Sequence, residues 1–599
     1  MAATSGQRID QLNEIQPVVG TRLVGLNPSD SAAGRFTIQE ATSTGIVYAD
    51  WYVAGDDTDE HAGLVSLIAA AQGKTIIFTP GKNYRGKQAF VDGSPTSSDR
   101  LDFEGVRGVI ATGATFNRLH IFIGDNCDWT GGSFIQDDST WGQALVQVTG
   151  SNVFFEKVFL QKTKAYAYIL VSGTTRPENI LIQDVNCRVS LDTENVSDND
   201  GLVIFYGKNV WLNRCTVETT GDDGITIKCT RDNGVTENIW VTNCVSINTS
   251  GAICIVGPFG ENAVIRNVFA HNLVGINTRP VNIRTSQSAP NIGTIESFVI
   301  DGVTCYTDAI NHYNVSKQKV GTSNGIQLAA RFQQGAGGII RNGVINNVKD
   351  YCRRDNASTT KAYVYITADK EDALIQNVKI TNILGEDPAQ GEIDVGEHET
   401  LVPVQRAIWI NQPNDATRIT GLTIHGVFRH ISENAIRANI SSDFVSGIEL
   451  DIEVNDVTDA LFNVAVPMKA RVKSNKPLAS WITTGQDSLV DLSFEHEEAF
   501  DASAGDGNTT LVGAMQWDKT YLVEIEETEA LDGNASTTFR LGTGAGAEDL
   551  LTAVTATGST LARARIDGID HVGDPLVLSW TNNASATTGE LTATVKVVG

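Results

Sequence analysis

The chain has 599 residues and a formal charge of −26, with a sequence pI near 4.7. So acidic a surface repels nucleic acid and anionic membranes, which excludes both as partners, and no apolar stretch is long enough to span a bilayer. The length exceeds what one compact core holds unless the fold is elongated, and a composition rich in Gly, Asn, Thr, Val and Ile suits short strands and tight turns.

Residues 1–45 read as a separate polar module. It contains Arg8-Ile9-Asp10-Gln11-Leu12 and a strand signal at Thr21-Arg22-Leu23-Val24-Gly25. Met1 to Arg8 has neither a basic n-region nor an apolar h-region, so no secretory signal is expected, and synthesis in a cytosol is. Residues 46–90 are expected to hold a capping helix and the first coil. Glu60 to Lys74 supplies the helix: Leu64, Leu67, Ile68 and Ala71 share a face, Asp57, Asp59 and Glu60 crowd its start, and Gly73 ends it. Thr75-Ile76-Ile77-Phe78 follows as a strand, so the helix is placed to plug the N-terminal end of whatever comes next.

From about 91 to 495 the chain repeats itself. A polar residue, Asn and alternating apolar positions appear as Ser151-Asn152-Val153, Glu178-Asn179-Ile180, Lys208-Asn209-Val210, Glu237-Asn238-Ile239 and Glu261-Asn262-Ala263. The Asn-to-Asn steps are 27, 30, 29 and 24 residues. Looser copies continue at Glu296-Ser297-Phe298, Gly338-Ile339-Ile340, Ala373-Leu374-Ile375 and Arg418-Ile419-Thr420. Cys187, Cys215 and Cys244 keep the same beat. Such a period marks a solenoid, and alternating runs broken by Asn and Gly turns make each unit three short strands. The expected fold is all-β: a parallel β-helix rising about 4.8 Å per coil. A leucine-rich repeat fails for want of its Leu framework and helical half.

Two acidic clusters lie one repeat apart: Asp198-Asn199-Asp200-Gly201 and Gly221-Asp222-Asp223-Gly224-Ile225-Thr226-Ile227-Lys228. If the coils stack, Asp200, Asp222 and Asp223 converge at one exposed cleft. Carboxylates at close range cannot all stay charged, so one keeps its proton, which is the raw material for acid–base cleavage of a sugar chain. Backbones on neighbouring coils should lie about 5 Å apart, closer than the usual carboxyl gap of inverting enzymes. Alone, a G-D-D-G is a turn whose Asp caps backbone amides. Beyond residue 496 the composition shifts to Gly, Ala and Thr with alternating strands, a C-terminal β-sandwich. The eight cysteines show no C-x-x-C spacing, so zinc and a disulfide framework are not expected. No cofactor or metal site is expected either.

The clusters resemble those of the polygalacturonase-like glycoside hydrolases, which carry N-T-D, G-D-D, G-H-G and R-I-K on successive coils of a right-handed, pectin-lyase-like parallel β-helix. Asp198-Asn199-Asp200 matches the first with substitutions and Gly221-Asp222-Asp223 the second in full. Gly251, in Ser250-Gly251-Ala252, stands where the family has His, and Asn282-Ile283-Arg284 stands for R-I-K. The resemblance implies Asp222 as general acid, Asp200 and Asp223 as the pair that holds and deprotonates water, and inversion. Substrate contacts would come from Arg284 and Lys228, with Arg279, Asn282 and Asp198 as weaker candidates.

Asp50-Trp51 through Tyr84 is similar to the start of pectate-lyase-like domains in bacteriophage tailspikes, and the first forty residues to adaptor modules of phage tail fibres. That implies a homotrimer on a phage tail or baseplate, attached through its N-terminus. It would act on bacterial surface polysaccharide, and the C-terminal sandwich would serve trimerisation or glycan binding. Three other readings stay open. They are a polysaccharide lyase using Arg279 or Arg284, a non-catalytic glycan-binding adhesin, and a site between subunits using Asp369, Glu371 or Asp372. Trp211, Trp240 and Tyr206 are candidate sugar platforms, although alternation favours sheet-face positions for the two tryptophans. His271 is a candidate for the missing histidine, although a satisfied structural His is the commoner case.

Overall fold

A computed structural model describes residues 45–86, 101–136, 144–162, 167–189, 200–219, 223–285, 293–307, 324–330, 338–352, 354–355, 361–368, 373–387, 393–394, 400–402, 404–411, 418–439, 445–464, 468–474, 490–501, 507–512, 520–529, 537–543, 551–556, 562–567, 576–582 and 590–598. Two compact units divide the chain, Met1–Ile46 and Val47–Gly599. The strand expected near Thr21-Gly25 in the first unit lies outside the described residues, as do Asp369, Glu371 and Asp372.

The capping helix runs His61–Ala70, shorter at both ends than the sequence suggests. Its apolar face behaves as read: Leu64, Leu67, Ile68 and Ala71 are buried in the main core, each worth up to about 1.5–3 kcal/mol for the larger side chains. Gly73 takes a left-handed φ of +72°, and Thr75–Ile77 follows, in parallel register with Gly108–Ile110.

The repeat is a parallel β-helix. A coil such as Leu202–Ile204, Lys208–Asn213 and Thr216–Glu218 lies in register on the next, Ile225–Ile227, Val235–Thr242 and Val245–Ile247. The first strand of each coil joins a sheet of thirteen strands from Leu101–Asp102 to Phe462–Val464, parallel throughout. From Val264–Ile276 to Val445–Val457 the second and third strands fuse into continuous strands of 13 or 14 residues, where the sequence suggests separate short ones. Inside, one column runs Val153, Ile180, Val210, Ile239, Val268, Phe298, Gly343, Val378 and Leu422 on consecutive coils. Gly343 has no side chain because the Phe298 ring occupies its space: an added Cβ would stand 1.9 Å from that ring.

The asparagines are corner residues. Asn152, Asn179, Asn209, Asn238 and Asn267 all adopt φ near +55 to +60°, a conformation Asn tolerates better than most residues. Each Nδ2 donates to the Oδ1 one coil back, at 2.9–3.0 Å. The fifth rung is therefore Asn267, not Asn262. Asn262 belongs to a second ladder with Asn233, and the corrected steps are 27, 30, 29 and 29 residues. All eight cysteines are buried, and none forms a disulfide.

At the C-terminal end Val490–Asp501 pairs parallel with Met468–Ser474 and antiparallel with Glu590–Val598. One strand thus belongs to both the coil stack and the following sheet, which continues through Thr520–Glu529 to Ala562–Asp567. A second antiparallel sheet, Gly507–Val512, Leu576–Asn582, Thr537–Gly542 and Leu551–Ala556, completes the sandwich layers.

Candidate functional site

The acidic clusters enter the thirteen-strand sheet at the starts of two adjacent strands, Leu202–Ile204 and Ile225–Ile227. Gly201 N–H donates to the Asp223 carbonyl at 2.8 Å, so Asp200 and Asp223 are brought together on neighbouring coils. The glycine after each Asp is required by contact rather than by φ. A Cβ on Gly201 would meet the Gly224 carbonyl oxygen and Val217 Cγ1 at 2.3 Å, and one on Gly224 would meet Thr249 at 2.7 Å.

Lys228, one residue past the second strand, closes the pair. Its Nζ lies 2.6 Å from Asp200 Oδ2 and 3.7 Å from Asp223 Oδ2. The rings of Phe205 and Phe259 flank the ammonium at 5.6 and 5.8 Å. Arg284, two coils on, brings Nη2 to 3.7 Å from the same Asp223 oxygen. Each of the two buried carboxylates thus has a cation beside it, as buried charges require. Burial pushes the Asp223 carboxyl up, but the charges of Arg284 and Lys228 and the hydrogen bond from Ser250 outweigh it and leave the pKa below its ordinary value.

Several expectations need correcting. Asp200 and Asp223 converge, but each is only 1% exposed, so they do not line an open cleft. Lys228 is neither a solvated strand residue nor a free substrate contact, since its charge is spent on the two carboxylates. Arg279 is buried and donates to Gln327 Oε1, and Asn282, 2% exposed, lies between Cys254 and Gln327 in the register of the sheet. Arg284, with its side chain a quarter exposed, is the cation of this cluster open to solvent. Asp222 and Asp198 lie outside the described residues. His271 is not at the site: it sits on the other sheet, paired with Asp301 at 3.3 Å. Trp211 and Trp240 stack at 4.7 Å with 6° between planes, and Phe269 continues the stack, so their faces cover one another and do not offer sugar platforms. Tyr206 packs against the core.

No family model matches the chain, and no curated protein does. Among solved structures, it is similar to an exopolygalacturonase from Thermotoga maritima, at 16% identity over 61% of this chain and 91% of that one, with a TM-score of 0.37. It is also similar to tailspike proteins of E. coli bacteriophage HK620. One is a mutant in complex with hexasaccharide, at 9% identity over 90% and 94% of the two chains and a TM-score of 0.47; another, in complex with pentasaccharide, reaches 0.48 at 9% identity over 94% and 98%.

Two site residues escape sequence reading. Ser250 Oγ donates a short hydrogen bond to Asp223 Oδ1. Its position next to Gly251, where the resemblance breaks, was the available signal. Lys162 Nζ, buried and 4.3 Å from the Tyr168 ring centroid, donates to the Asp200 carbonyl at 2.5 Å. It comes from the preceding coil, 38 residues upstream, and nothing local to Asp200 announces it.

Proposed function

We propose that this protein is a phage tailspike that depolymerises a bacterial surface polysaccharide by glycosidic hydrolysis, with inversion. Asp222 would protonate the leaving oxygen, and Asp200 and Asp223 would hold and deprotonate the attacking water. Arg284 would contact an anionic or hydroxyl group of the glycan, a task its planar fork suits. In this reading the protein is a homotrimer carried on the phage tail through residues 1–45, works at the host cell surface, and uses no cofactor.

One observation carries the proposal. Carboxylates from successive coils meet around the Lys228 ammonium with a quarter-exposed guanidinium beside them, and the Asp223 pKa is held below its ordinary value, as a water-holding base requires. The resemblance of the D-N-D-G and G-D-D-G clusters to the hydrolase motifs supports the division of roles. The burial of Asp200 and Asp223 favours a second reading, a glycan-binding spike without chemistry. Incubation with purified capsular and exopolysaccharides, read by reducing ends and mass, decides between them. Cleavage by the wild type and its loss, with binding kept, in Asp222→Asn is the result expected. Binding without cleavage in the wild type overturns the hydrolase. Product absorbing in the ultraviolet through a new double bond overturns it in favour of a lyase.

A further inference from the structure

We propose that Ser250, beside Gly251 where the resembling family has a histidine, is the positioning residue for Asp223. The proposal rests on the reading above, in which Asp223 holds the attacking water.

Gly251 cannot regain a large side chain. A Cβ there would stand 2.9 Å from Cys254 Sγ and 3.1 Å from Asn282 Cβ, and Asn282 is itself fixed in the sheet between Cys254 and Gln327. The space a ring would need is filled. One residue earlier, Ser250 reaches Asp223 directly: its Oγ donates to Oδ1 and lies 3.5 Å from Cys254 Sγ on its other side. The two oxygens of Asp223 are thereby divided. Oδ2 faces Lys228 and Arg284, each at 3.7 Å, too long for a hydrogen bond to fix the carboxylate plane. Oδ1 takes the serine hydroxyl, and this bond sets the rotation of the carboxylate. The groups facing Asp223 are Lys228 on its own coil, Asp200 on the preceding coil, Ser250 and Cys254 on the next, and Arg284 on the one after. Asp222 precedes it in the chain. Of these, Ser250 and Cys254 are the neutral donors; the Ser250 hydroxyl is the stronger of the two, and its removal changes no formal charge, so it separates orientation from charge balance.

The experiment compares Ser250→Ala, Ser250→Thr and Ser250→Cys with the wild type. In Ser250→Ala, kcat on the cleaved polysaccharide falls about tenfold or more with KM little changed, and the acid limb of kcat/KM moves up by about one pH unit, the weight of one hydrogen bond to a charged group. Ser250→Thr restores both. If the alanine variant fails to fold, Ser250→Cys, a weaker donor of similar size, moves the limb in the same direction. A second readout needs no turnover: the carboxyl carbon-13 signal of Asp223 in aspartate-labelled protein, assigned through Asp223→Asn, titrates higher in Ser250→Ala and returns in Ser250→Thr. An unmoved limb and an unmoved signal in an active enzyme overturn the assignment. A wild type inert on every glycan, with the signal moving as stated, overturns the hydrolase and leaves the Ser250–Asp223 link standing.

Discussion

Lys228 holds two buried carboxylates with one ammonium, so removing it leaves like charges facing each other away from water. Lys228→Met is expected to cost about 3–5 kcal/mol in urea unfolding, while Lys228→Arg, which keeps the charge, costs much less. The pH dependence follows from the sign at Asp223. Burial opposes ionisation, yet Arg284, Lys228 and Ser250 leave the folded pKa below the ordinary 3.8. A depressed carboxyl contributes stability above its unfolded pKa and loses it as pH falls through the folded one, so the contribution fades below about pH 4. Asp223→Asn should show a shallower loss of stability across that acid window, checked by thermal unfolding at stepped pH. At this scale the sequence was half legible. Spacing of one repeat paired Asp200 with Asp223, because a stacked coil turns sequence period into spatial adjacency. Burial was not legible, since it depends on what packs over the sheet, nor was Lys162, which lies 38 residues from Asp200 and off the repeat spacing, whereas Ser250 was marked only by its place one repeat after Asp223 and beside Gly251.

The corner ladder makes a different kind of prediction. Asn209 donates to Asn179 and accepts from Asn238 while holding φ at +54°. Asn209→Ala should lose both bonds and meet the left-handed penalty, about 2–3 kcal/mol together, and Asn209→Gly, which escapes the penalty, about 1 kcal/mol. Equilibrium denaturation of the two variants separates backbone cost from bond cost; equal losses would contradict the account. The period itself was readable because Asn recurs wherever the backbone turns left-handed. The rung at Asn262 was misread because Glu261-Asn262-Ala263 repeats the local pattern, whereas the corner falls five residues later, at Asn267, and only the side-chain ladder distinguishes the two.

For the molecule as a whole, the strand Val490–Asp501 ends the coil stack and begins the sandwich. A chain cut after residue 489 would leave Met468–Ser474 as an open edge able to pair with other chains. Such a truncation is expected to aggregate during purification, as seen by light scattering, while the full chain stays dispersed. The sequence located the change of composition near 496 but not the shared strand, because composition marks where a layer changes and pairing decides where it is joined.

Stacked coils that look alike invite a threading error in which one coil pairs with the next but one. Along one outer column the residues alternate in sign: Glu178, Lys208, Glu237, Arg266, Glu296 and Arg341, in register on six successive coils. Their contacts include Arg266–Glu237 at 2.7 Å and Arg341–Glu296 at 2.6 Å. Exposed pairs of this kind add little stability apiece. Skip a single coil, however, and every acid faces an acid and every base a base. The column thus works as a parity check on assembly, penalising misthreaded chains more than it rewards the correct one.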